Sequence, residues 1–202
     1  MSSPARYLRC SNLLTYLSLL SSLLAVVAAR EWRSWEYAGL LLAISAFADT
    51  FDGRFARLFS RDDSEKAFGS QLDSLVDAVA FGIVPVVCLQ SLVVFTSTTT
   101  RIAWLAAAFV YVVCALTRLG YYNLHVEVHA GFIGLPTTLA ALLWSSVFLT
   151  HPAATSTVLI LTILGMAMVS AIPISRPRGL AMWAYMLWFA AVFVSYGFQL
   201  VH

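Results

Sequence analysis

Asp49-Thr50-Phe51-Asp52-Gly53-Arg54-Phe55-Ala56-Arg57, a short polar stretch, and then Gly69-Ser70-Gln71-Leu72-Asp73-Ser74-Leu75-Val76-Asp77 hold four carboxylates inside two otherwise apolar segments. The chain has ten acidic residues, so these four are a large share of its negative charge. Asp49 and Asp52 are spaced i, i+3, and Asp73 and Asp77 i, i+4. Either spacing stacks two side chains on one helical face, one turn apart. Acidic residues on a helix are usually a solvated face. Here residues 37–51 and 75–96 are almost all apolar around them. In a membrane an uncompensated Asp costs roughly 2.5–3.5 kcal/mol, so four approach about 10 kcal/mol. A marginally stable fold does not carry that without compensation. Two helices converging four carboxylates form an all-oxygen site suited to hard divalent cations, whose charge removes most of the penalty.

Working outward, composition gives the class. The 202 residues are 60% hydrophobic and 11% charged, with a mean hydropathy of +0.83. A soluble domain carries about 25% charged residues. The sequence therefore predicts an all-α, polytopic membrane helix bundle, a single domain over 1–202. Cys10, Cys88 and Cys114 lack metal-ligand spacing and read as small unpaired residues. The net charge of +2 says little by itself, since where the cations sit matters more than their sum; no nucleic-acid partner is expected.

Seven apolar spans are predicted, at about 12–29, 37–58, 69–96, 101–123, 132–150, 155–173 and 180–200. A short interfacial helix is expected before them, with Tyr7 and Leu8 toward lipid and Arg6 and Arg9 toward headgroups. Trp32, Trp35, Trp104 and Trp183 fall at expected interfaces. With the N-terminus in the cytosol, nine of the twelve cations lie on or near the cytosolic side, and only Arg30, Arg33 and Arg101 lie outside. The positive-inside rule favours this orientation. It puts all four aspartates in the cytosolic half of the cell membrane, within reach of a soluble substrate and a lipid.

The pattern Asp49-x-x-Asp52-Gly53-x-x-Ala56-Arg57 … Gly69-x-x-x-Asp73-x-x-x-Asp77 resembles the signature of the CDP-alcohol phosphotransferase family. The segment 58–68 between its halves is longer than usual in the family, and the extra residues are assigned to a polar loop at Arg61–Lys66. The resemblance implies a six-helix core with one further C-terminal helix, and a homodimer. It also implies that Asp49, Asp52, Asp73 and Asp77 hold Mg²⁺ or Mn²⁺, two ions in all, with Asp77 partly free to act as catalytic base. Asp49, Gly53, Ala56, Arg57 and Gly69 would bind the CDP part of the donor. The glycines allow close backbone approach, and Arg57 can grip a phosphate oxygen. Asp77 would take the proton of an acceptor hydroxyl, which attacks phosphorus as CMP leaves.

Further motifs resemble the phosphatidylserine synthase branch: Phe68-Gly69-x-x-Leu72-Asp73-Ser74-Leu75-x-Asp77-x-x-x-Phe81-Gly82-x-x-Pro85, Asn12-Leu13-Leu14-Thr15, Gly134-Leu135-Pro136 after Phe132, and Val169-Ser170-x-Ile172-Pro173. That branch implies CDP-diacylglycerol and L-serine as substrates among membrane lipids. At the end of span four, Arg118 and Asn123 fit the branch pattern, while Tyr121 stands where a second Arg is expected. Arg118 is the candidate for binding the acceptor carboxylate. Transfer to glycerol phosphate, inositol phosphate or choline is the alternative, and cation transport along the aspartates a third reading. His125, Glu127 and His129 alternate and read as a solvated loop. Pro136, Thr137 and Thr138 read as the start of span five, with the hydroxyls satisfying freed backbone carbonyls.

Overall fold

The computed structural model describes residues 3–124, 132–174 and 179–202. The alternating trio at 125–129 and the cations Arg176 and Arg178 lie outside them. Two 3₁₀ turns, Pro4–Tyr7 and Cys10–Asn12, lead into α1 (Leu13–Glu31) and α2 (Trp35–Ala56). Next come α3 (Asp63–Asp77), a π-helical stretch (Ala78–Ile83) and α4 (Val84–Leu92), then α5 (Thr98–Leu124), α6 (Thr137–Phe148), α7 (Ala154–Met168) and α8 (Leu180–Val201). Strands β1 (Phe132–Ile133) and β2 (Pro173–Ile174) pair antiparallel. The all-α expectation holds; of the expected spans, 69–96 runs over α3, the π-helical stretch and α4, and 132–150 begins in β1 before α6. Four stretches have the length and apolarity to cross a membrane: Cys10–Glu31, Asp63–Leu92, Thr98–Leu124 and Leu180–Val201. Helix α2 has 22 residues but carries Glu36, Asp49, Asp52 and Arg54, while α6 and α7 have 12 and 15.

The polar stretch between α2 and α3 differs from expectation. Helix starts at Asp63, so the polar segment from Asp63 to Lys66 is the first turn of α3. Asp62 accepts from the Glu65 N–H at 2.8 Å, and Glu65 accepts from the Asp62 N–H at 3.1 Å. This reciprocal cap satisfies two donors that a helix start leaves open. The N-terminal segment packs against that turn. Arg6 pairs with Asp62 and Arg9 with Glu65, and Tyr7 stacks on Phe68 with ring centroids 4.5 Å apart. These side chains meet protein partners where headgroups and lipid were expected, because the early start of α3 puts acids and an aromatic beside them.

The π-helical stretch has a local cause. Pro85 has no N–H, so the Phe81 carbonyl four residues earlier loses its helical donor. The Tyr111 hydroxyl, from α5, donates to that carbonyl at 2.8 Å. The widened turn follows directly after Asp77.

Small residues let the helices approach closely. Ala25, Ala28 and Ala29 of α1 and Ala38 and Leu42 of α2 share one buried cluster with Cys88, Tyr111 and Trp144. Ala43, Ala46, Val76, Phe81 and Phe189 share another. Trp104 belongs to the core, only 1% exposed, with Nε1 donating to Thr157 at 3.0 Å; its indole N–H finds a protein partner, and so no interface is needed. Gly134 has φ +72°, and a Cβ there would stand 2.2 Å from the Met168 carbonyl oxygen. Its N–H donates to the Ile172 carbonyl, and the Leu135 N–H to that of Ala167. Gly134-Leu135-Pro136 thus docks the start of α6 on the end of α7.

Candidate active site

Helix α2 delivers Asp49 and Asp52, and α3 delivers Asp73 and Asp77. One oxygen each from Asp49, Asp52 and Asp73 lie within 4.8 Å of one another. Asp77 is buried beside them, near enough to Asp49 and Asp73 for their charges to interact. Carboxylates that close require a shared proton or a cation between them.

Three threonines from other helices hold this cluster. Thr15 of α1 donates to Asp52 Oδ2 at 2.8 Å, Thr138 of α6 to Asp49 Oδ2 at 2.7 Å, and Thr137 to Asp77 Oδ2 at 3.0 Å. Thr137 and Thr138 therefore serve carboxylates, not the backbone carbonyls expected from the sequence. Both stand in the first turn of α6, where no helical carbonyl lies four residues back for their hydroxyls to bond. Each threonine meets one oxygen and leaves the other open. Asp77 Oδ1 is buried without a hydrogen-bond donor. Converging hard oxygens with an unmet lone pair fit a small divalent cation such as Mg²⁺ or Mn²⁺. Asp49, Asp52 and Asp73 would hold it, with Asp77 adjoining.

A cavity of about 230 Å³ opens against this cluster. Asp52, Gly53, Ala56, Gly69 and Asp73 share its wall, as the sequence pattern implies. A Cβ on Gly53 would meet no protein atom within 4 Å, so helix packing does not require glycine there. Ser11, Asn12, Thr15, Arg61, Lys66 and Ser70 complete the wall. Arg57 is not in the wall. It is exposed at the end of α2, and its Nε–H donates to the Gly53 carbonyl at 3.0 Å. Asp49 and Asp77 lie behind the wall. Arg118 is buried in α5, 4.7 Å from the Tyr122 ring centroid and near enough to Asp77 for their charges to attract. Ser74 donates to Asn123 Oδ1 at 2.8 Å, tying the end of α5 to α3.

Sequence reasoning missed Ser11 and Ser70 in the wall and the roles of the three threonines, and it gave Arg61 and Lys66 only as loop cations near the mouth on offer to a phosphorylated acceptor. For Asn12 and Thr15 a signal existed, since both stand in the Asn12-Leu13-Leu14-Thr15 motif.

A family model, CDP-alcohol phosphatidyltransferase, matches residues 8–195. The chain belongs to the CDP-alcohol phosphatidyltransferase family. Within the family it is similar to the CDP-diacylglycerol–serine O-phosphatidyltransferase of Mycobacterium bovis, 32% identical over 137 residues, which are 63% of this chain and 44% of that protein. The protein of the same name from Methanocaldococcus jannaschii is 31% identical over 144 residues, 71% of this chain and 62% of that one. The archaetidylserine synthase of Methanothermobacter thermautotrophicus is 28% identical over 175 residues, 86% of this chain and 72% of that protein. The chain spans about half the length of the mycobacterial relatives that it matches.

Proposed function

We propose that this chain transfers the phosphatidyl group of CDP-diacylglycerol to the hydroxyl of L-serine and releases CMP. The observation that carries the reading is the aspartate cluster standing against a cavity lined by Gly53, Ala56 and Gly69. The names of the relatives supply the donor and the acceptor.

In this reading Gly53, Ala56 and Gly69 give the CDP moiety room against the α2 and α3 backbones, with Asp49 beside it. Arg118 holds the serine carboxylate, and its neighbour Asp77 faces the serine hydroxyl. Asp77 Oδ2 is engaged by Thr137, so Oδ1 is the oxygen left to accept the hydroxyl proton. The serine oxygen bonds to the phosphorus of the phosphatidyl group while the bond to the CMP oxygen breaks. One or two Mg²⁺ or Mn²⁺ ions on the aspartates would neutralise charge growing on the departing CMP. The protein would work as one membrane domain over 1–202, as a homodimer, with the cavity facing the cytosol.

The test is CMP release by purified protein with CDP-diacylglycerol and Mn²⁺ or Mg²⁺ across a panel of acceptors. Serine-dependent release that EDTA abolishes is expected, as is loss of turnover in Asp77→Asn with donor binding kept. Release with glycerol phosphate, inositol phosphate or choline but not with serine would shift the acceptor and draw attention to Tyr121. No release with any acceptor would sink the reading.

A further inference from the structure

Resting on that reaction, we infer that Arg61, not Arg57, is the cation that grips the phosphates of the donor. Two cations stand in the cavity wall, Arg61 and Lys66, and Lys66 is engaged with Asp63; nearby, Arg6 pairs with Asp62 and Arg9 with Glu65. Arg61 is half-buried in the cavity wall and has no ion pair or hydrogen bond among the described residues. Arg57, the motif arginine, is exposed outside the wall, with its Nε–H spent on the Gly53 carbonyl. Gly69 leaves room for Arg61: a Cβ there would stand 3.3 Å from Arg61 Nη1, so the guanidinium would have to give by a few tenths of an ångström, and 3.5 Å from Asn12 Oδ1. Glycine thus lets the guanidinium lie close against the α3 backbone, in the same cavity wall as Asp52 and Asp73. A half-buried, unpaired guanidinium is costly to keep without an anion, and its planar fork matches phosphate oxygens.

The experiment compares wild type, Arg61→Ala, Arg61→Lys and Arg57→Ala. It measures donor KM, serine KM and direct binding of CDP with Mn²⁺ present, with thermal melting as a check on folding. Arg61→Ala should raise the donor KM and the CDP dissociation constant about tenfold or more, the loss expected for one charged hydrogen-bonding group. Serine KM should stay within about twofold, and Arg61→Lys should recover part of the loss. Adding Gly69→Ala to Arg61→Ala should cost less than the two single losses together, since both act on one contact. Donor KM and CDP binding unchanged in Arg61→Ala, or a larger loss in Arg57→Ala, would overturn the inference. CDP binding that depends on Arg61 in a protein releasing no CMP would keep the inference and reject the reaction.

Discussion

Thr138 puts a hydroxyl 2.7 Å from Asp49 and contributes nothing else that valine could not. Removing the donor lets that carboxylate turn and lowers its fit to a cation; partners of this kind typically change metal affinity 10–100-fold. Thr138→Val should weaken Mn²⁺ binding by about tenfold, measured by calorimetry on the purified protein, and Thr138→Ser should restore it. Equal Mn²⁺ affinity in Thr138→Val and wild type would make the hydroxyl a bystander. The four aspartates were legible in the sequence because charge in an apolar segment is rare and their spacing is helical. The threonines were not, because hydroxyls on apolar helices are common. Which acid each one meets depends on packing between residues 37, 60 and 89 positions apart. Arg61 was legible only as a loop cation near the mouth: in a polar stretch nothing marks it as a ligand of the donor.

At the scale of elements, the join between α3 and α4 joins two different tasks. The carboxylate-bearing half ends at Asp77, and the apolar half runs on from Val84 past the Pro85 break. Tyr111 keeps the freed Phe81 carbonyl satisfied in a dry core. Tyr111→Phe keeps the ring against Trp144 but leaves that carbonyl unpaired, which should cost about 1–3 kcal/mol. A lower melting temperature in detergent would show it, and an unchanged one would mean that the wide turn satisfies itself. Pro85 announced a disturbance in the sequence, but its repair from α5 is tertiary. The early start of α3, by contrast, is written plainly in Asp62-x-x-Glu65, a capping box. Trp104 has no such local sign: an aromatic near a helix start looks the same whether it faces lipid or protein.

For the whole molecule, membrane embedding follows from composition alone, whereas the number of crossings does not. Charge in α2 and shortness in α6 and α7 set those helices apart from the four that meet both conditions. Helix α8 shows one apolar face to its surroundings, with Leu180, Trp183, Leu187 and Phe198 each more than 60% exposed. The orientation proposed above can be read from native cysteines, since Cys10 is exposed near the cavity side and Cys88 and Cys114 are buried. A membrane-impermeant maleimide should label Cys10 in inside-out vesicles and leave intact cells unlabelled. Labelling of intact cells alone would reverse the orientation.

The threonine ties also have a consequence for how the protein is made. Asp77 leaves the ribosome 60 residues before Thr137, and Asp49 leaves 89 before Thr138. At about 5–20 residues per second, 60 residues take roughly 3–12 s. For that interval the nascent α2–α3 hairpin has only Thr15, already synthesised, as a hydroxyl donor to its acids. The hairpin must wait beside water or the insertion machinery until α6 arrives. A chain that stops before residue 137 would leave Asp49 and Asp77 without their threonine donors.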